Sequence, residues 1–213
     1  MKAKLEIVSG FLGSGKTSFI NSYLNTDVCI GKEILIILLE KGKSDIRGDL
    51  GNIKIKYLEE INKLKEILLK EIKCKEYFKV IIEFNGTAKL SVIGEIFKDK
   101  EIRKNFSFYG NYYIGDCKNL DIYLRNLGEI IIPFIQSSKL IILNNLTLLD
   151  KKKQEELIND IKEINITAPI IFINDLSNLD LDIKNSIYFK EDKLIKKVKS
   201  LLVKRRILYD KMG

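Results

Sequence analysis

Eight residues near the amino terminus, Gly10-Phe11-Leu12-Gly13-Ser14-Gly15-Lys16-Thr17, carry the spacing GxxxxGK[ST] at every fixed position. The chemistry such a run can do is to hold a polyphosphate. Glycines let backbone N–H groups turn inward around a β-phosphate with no side chain in the way. A helix opening at the last residues adds the positive end of its dipole. Gly13, Ser14, Gly15, Lys16, Thr17 and Ser18 are therefore the candidate nucleotide-binding residues, with Lys16 reaching the β- and γ-phosphates and the Thr17 hydroxyl on Mg²⁺.

A second run supports the first. Lys79-Val80-Ile81-Ile82-Glu83 reads as a buried strand ending in a carboxylate, and it continues into Phe84-Asn85-Gly86. At the carboxyl end of a strand beside a phosphate loop, Glu83 can hold Mg²⁺ together with Thr17. Gly86 lets a backbone N–H approach a γ-phosphate and is a candidate sensor of hydrolysis. Lys16 and Glu83 are the catalytic candidates: one stabilises charge on the transferring phosphoryl group, the other secures the metal.

The elements that must position these residues follow from hydrophobic spacing. Near-continuous apolar runs at 5–8, 34–39, 78–83, 112–114, 140–143 and 170–173 predict strands covered on both faces. Between them, Phe19, Ile20, Tyr23 and Leu24 mark one helix, and Ile61, Leu64, Ile67, Leu68 and Ile72 another. Leu157, Ile158, Ile161 and Ile164 mark a third, with Asp150 as its N-cap, and Leu194, Ile195, Val198, Leu201 and Leu202 a last. Strand and helix in alternation predict an α/β fold with a doubly wound, mostly parallel sheet, in one domain over residues 1–213.

Composition narrows the chemistry. Histidine is absent, so no imidazole base or His metal ligand is available. Cys29, Cys74 and Cys117 stand far apart and form no clustered thiol motif. The formal charge is +8, but residues 190–213 hold nine Lys or Arg and three Asp or Glu. Removing these from the totals of 37 and 29 leaves 28 against 26, so the body is near neutral. The basic surplus reads as the solvated face of an amphipathic helix at about 191–208, suited to an acidic partner rather than to nucleic acid. No apolar run is long enough to span a bilayer and the start carries no apolar leader, so the expected location is cytoplasmic.

These residues resemble the CobW family of P-loop GTPases. VSGFLGSGKT (8–17) is similar to that family's extended phosphate loop, and IIEFNGTA (81–88) resembles its IExTGxAxP segment at Glu83, Gly86 and Ala88. INITAPIIF (164–172) is similar to the stretch before its last core strand. The resemblance implies a P-loop NTPase of the SIMIBI type that binds GTP with Mg²⁺ and hydrolyses it slowly. It also implies a maturation or activation role toward a client protein, and a homodimer formed across the nucleotide.

The departures bear on metal and base. The family's CxCC cluster has no counterpart in residues 40–57, which contain no cysteine. Of its Asn-Glu pair after the second strand only Glu40 carries over, as a further metal candidate. The base-reading NKxD appears as Asn144-Asn145-Leu146-Thr147: Asn144 matches, while Asn145 replaces the Lys and Thr147 the Asp. Thr147 cannot offer a bidentate anionic acceptor, so GTP follows from the resemblance while ATP or weak discrimination stays open on the residues. A nucleotide-gated binding module with little hydrolysis is the alternative reading, with residues 40–50 as its switch segment.

Overall fold

The computed structural model describes residues 2–39, 46, 51–84, 86, 89–173, 179 and 183. Among these, seven strands form one sheet: β1 (Ala3–Ser9), β2 (Ile34–Leu38), β3 (Ile53–Tyr57), β4 (Lys79–Glu83), β5 (Phe106–Asp116), β6 (Ser138–Asn144) and β7 (Ile170–Ile173). Their order across the sheet is β3-β2-β4-β1-β5-β6-β7, and every pair is parallel. The helices are α1 (Lys16–Leu24), α2 (Leu64–Cys74), α3 (Ser91–Ile96), α4 (Lys100–Asn105), α5 (Cys117–Gln136) and α6 (Lys151–Ile164). The expected α/β fold with a doubly wound parallel sheet is the observed one. None of the described helices is long and apolar enough to cross a membrane.

Two apolar clusters cover the two faces of the sheet. On one face Leu5 and Ile7 of β1 pack with Leu68, Ile102, Leu120 and Ile161 from α2, α4, α5 and α6. On the other, Val8, Ile36 and Ile114 meet Phe19, Ile20 and Tyr23 of α1, with Leu179 and Ile183 in the same cluster. Each fully buried aliphatic side chain contributes about 1.5–3 kcal/mol, so this sandwiching is what fixes the strand register.

The α1 face also contains charge. Glu6, in the middle of β1, is fully buried and pairs at 3.0 Å with the buried ammonium of Lys79, the first residue of β4. The Tyr23 hydroxyl of α1 donates to the Glu6 carboxylate at 3.0 Å and accepts from Lys79, and the Tyr112 hydroxyl of β5 lies 3.1 Å from it. Burial, first of all, raises the Tyr23 phenol well above its ordinary pKa, so it stays a donor. This network ties α1, and with it Lys16 and Thr17, to three adjacent strands.

The structure adds elements that periodicity did not reveal. β3 is an edge strand whose IKIKY alternation places lysines at every second residue, a pattern of a half-exposed strand. β5 is 11 residues long rather than three, with a register shift opposite Leu5/Glu6 just before Gly110 pairs with Glu6. α5 has 20 residues despite Gly128 and Pro133; it kinks at Leu127 (φ −130°, ψ 23°), which disguises its period. Asp150 caps α6 as expected, accepting from Lys153 N at 2.9 Å. Glu40, Ala88, most of the 40–50 segment and the 191–208 helix lie outside the described residues.

Candidate nucleotide-binding site

The phosphate loop leaves β1 after Ser9 and enters α1 at Lys16. Gly10 has φ 143°, and a Cβ there would stand 2.1 Å from the Ile114 carbonyl oxygen and 2.7 Å from Ser14 Oγ. Only glycine lets the chain turn this close to β5. Gly15, at φ 98°, is the N-cap of α1; no side chain caps that helix end and no acidic residue occupies its first turn. The opening turn therefore presents backbone amides and the positive end of the dipole to whatever lies above it.

Ser14 is buried, yet its hydroxyl is without a hydrogen-bond partner among the described residues. A buried hydroxyl left unmet costs about 1–3 kcal/mol, and a phosphate oxygen in the loop would supply its partner. Lys16 is also buried, and its ammonium donates to the carbonyls of Gly10 and Phe11, each at 3.1 Å. Those carbonyls park the cation across the loop. Gly13 is exposed at the tip with open space around it, and Ser18 is half-buried in the first turn of α1.

Glu83 ends β4 in register with Val8 of β1. Its two carboxylate oxygens lie 3.1 Å from Thr17 Oγ1, and both side chains are buried. The structure thus brings together the two side chains that the sequence pairs as metal candidates. Hydroxyl and carboxylate oxygens are hard donors and fit Mg²⁺ rather than a thiolate-seeking ion. Among the described residues no three His, Cys, Asp or Glu gather to hold a metal. Gly86 abuts the loop: a Cβ on it would come within 3.0 Å of Phe11 Cα and 3.1 Å of Gly10 O. The Phe11 ring in turn stacks on Tyr123 of α5, with centroids 4.0 Å apart.

On the opposite flank, Asn144 ends β6, and its amide donates to the Ser14 carbonyl at 2.5 Å. Its side chain thus braces the phosphate loop. Asn145 follows with φ 57° and donates to Asn144 Oδ1 at 3.0 Å and to Asp116 Oδ1 at 2.9 Å. Asp116 ends β5 in register with Asn144 and caps α5 through Lys118 N. Thr147 is exposed in a short 3-10 turn, Leu146–Leu148. Sequence reading missed Asp116; the signal available was an acidic residue ending an apolar strand, as at Glu83. Thus Glu83 and Gly86 flank the loop on the β4 side, Asn144, Asn145 and Asp116 on the β5–β6 side.

A family model described as the CobW/HypB/UreG nucleotide-binding domain matches residues 4–172. The chain belongs to the CobW/HypB/UreG family. Among relatives in this family, the "Zinc-regulated GTPase metalloprotein activator 1" of Schizosaccharomyces pombe is 28% identical over 209 residues, covering 83% of this chain and 48% of that protein. The chain thus spans about half the length of that relative. The Zn(II)-bound YjiA GTPase from E. coli superposes with a TM-score of 0.64 at 20% identity, over 84% of this chain and 62% of that one. The hydrogenase maturation factor HypB from Archaeoglobus fulgidus gives 0.53 at 18% identity, over 94% and 90%. Both share the fold of this CobW/HypB/UreG chain.

Proposed function

We propose that this chain binds GTP with Mg²⁺, hydrolyses it slowly, and acts in the cytoplasm as an activation or maturation factor for a client enzyme. The observation that carries the reading is the Thr17–Glu83 pair beside Lys16, under an uncapped helix end and an unmet Ser14 hydroxyl. The family supports nucleotide binding, and the name of the fission-yeast relative supports both GTP and an activator role.

On this reading the backbone amides of 13–18 and the Ser14 hydroxyl hold the phosphates. Lys16 leaves the Gly10 and Phe11 carbonyls to meet phosphate oxygens, exchanging neutral acceptors for charged ones. Thr17 and Glu83 would hold Mg²⁺, which when bound supplies charge neutralisation on the β- and γ-phosphates. Gly86 admits the loop after β4 to the γ-phosphate, so the length of the phosphate chain can be sensed there. Glu40 is a further candidate for the metal's surroundings.

The test is steady-state turnover of GTP and ATP with and without Mg²⁺, in the wild type and in Lys16→Ala. Expected is metal-dependent GTP turnover on the order of 10⁻⁴–10⁻² per second, lost in Lys16→Ala. Fast turnover that ignores both the metal and Lys16 would refute the proposal.

A further inference from the structure

The phosphate end of the site is accounted for by Lys16, Thr17 and Glu83, but the nucleoside end lacks a charged reader at Thr147. A ligand whose γ-phosphate lies toward Glu83 and Gly86, on the β4 side of β1, must extend its nucleoside the other way, over the ends of β5 and β6. There the loop after β6 begins at Asn145, the sole non-glycine residue of positive φ among the described residues. Left-handed geometry suits Asn better than most residues, yet it still has to be held. The Asn145 amide uses its two hydrogens on Asn144 Oδ1 and Asp116 Oδ1, at 3.0 and 2.9 Å.

We propose that Asp116 is a positioning residue for the nucleoside: through Asn145, its carboxylate fixes the turn at Leu146–Leu148 that receives the base. The inference rests on the reading that this chain binds a nucleoside triphosphate on its phosphate loop. Asp116 has two tasks, capping α5 through Lys118 N and anchoring Asn145. The two are separable by substitution. Serine keeps a good N-cap but is too short to reach Asn145, whereas asparagine keeps both the cap and an accepting oxygen. The Asn144 bond to the Ser14 carbonyl survives either change, so the phosphate loop keeps its brace.

The experiment titrates the full chain with GTP and with inorganic tripolyphosphate, both with Mg²⁺, in the wild type, Asp116→Ser, Asp116→Asn, Asn145→Ala and the Asp116→Ser/Asn145→Ala double variant. Asp116→Ser and Asn145→Ala are each expected to weaken GTP by roughly tenfold, the worth of one charge-assisted hydrogen bond, and the double variant by no more. Tripolyphosphate affinity should move by less than about twofold, and Asp116→Asn should bind GTP within about threefold of wild type. Equal loss of both ligands in Asp116→Ser, or unchanged GTP affinity in both single variants, overturns the inference. A wild type that binds neither ligand refutes the nucleotide-site reading itself, and a wild type that binds tripolyphosphate but not GTP refutes the nucleoside end.

Discussion

The hydroxyl of Thr17 lies 3.1 Å from both carboxylate oxygens of Glu83, although 66 residues separate them in sequence. β1 and β4 are adjacent and parallel, so the first residues after β1 and the last of β4 share one end of the sheet. The alcohol sits in the first turn of α1 and the acid on the last residue of β4, so regular elements hold both, which would leave little entropy to lose on binding a cation.

Glu83→Gln keeps shape and burial but removes the charge. The protein should fold with unchanged melting behaviour, while the Mg²⁺-dependent gain in triphosphate affinity falls by roughly tenfold to a hundredfold. Calorimetric titration at several Mg²⁺ concentrations measures it; an unaltered metal dependence would remove Glu83 from the metal site.

Gly10 and Gly13 should respond differently to alanine. At Gly10 the added carbon would lie 2.1 Å from the Ile114 carbonyl oxygen, so β1 and β5 must separate or the loop must refold. At Gly13 nothing stands within 4 Å, and only the φ of 77° is unfavourable. Gly10→Ala should abolish nucleotide binding and lower stability by several kcal/mol, on the order of a large core defect. Gly13→Ala should cost about 1–2 kcal/mol. Thermal melts with and without nucleotide compare the two.

The turn after β6, proposed above to receive the base, offers a gain-of-function prediction. Thr147→Asp, with Asn145 kept as the anchor to Asp116, would place there a carboxylate that can accept two hydrogen bonds from a guanine edge. Preference for GTP over ATP should rise by roughly tenfold to a hundredfold, the effect of about 1.5–3 kcal/mol. Competition binding of the two triphosphates measures the ratio; an unchanged ratio would mean that the base lies elsewhere.

Glu71 gives the fold a dependence on acid. Burial alone would raise its pKa, but hydrogen bonds from Lys54, Lys56 and Tyr77 outweigh it and hold the carboxyl at about 2, below the ordinary 4.5. A folded-state pKa below the unfolded one means that the stabilisation is complete above about 4.5 and is lost as pH falls toward 2. Denaturant unfolding across that range should show the decline. Glu71→Gln should flatten it and cost about 1–3 kcal/mol near neutrality.

Much of this was legible in the residues. The phosphate-loop motif announces itself because its spacing restricts Gly10, Gly15, Lys16 and Thr17 to one or two residue types each, and Glu83 because it is an acidic residue ending an apolar strand. The apolar runs of β2 and β4 announce themselves because strands covered on both faces have few polar positions, and β7 reads as a strand from its four apolar residues although Phe172 is exposed. β5 was legible only at its carboxyl-terminal half, since Gly110 and the buried Asn111 interrupt the pattern where the register shifts. α5 was hidden by Gly128, Pro133 and its kink. The Glu6–Lys79 pair shows nothing in sequence beyond a charge inside each of two apolar strands; their meeting depends on β1 lying beside β4. Asp116 was obscure for a similar reason, because its partner Asn145 belongs to the neighbouring strand's loop.

The central claim is that the amides of the 10–17 loop and the Lys16 ammonium grip a triphosphate. A binding titration of GTP, GDP, ATP and ADP with Mg²⁺ tests it most directly, in the wild type and in Lys16→Ala. The account predicts that wild type binds the triphosphates and that Lys16→Ala loses at least about a hundredfold of that affinity. Wild-type protein that binds none of the four, or that binds them as tightly without the Lys16 ammonium, would contradict it.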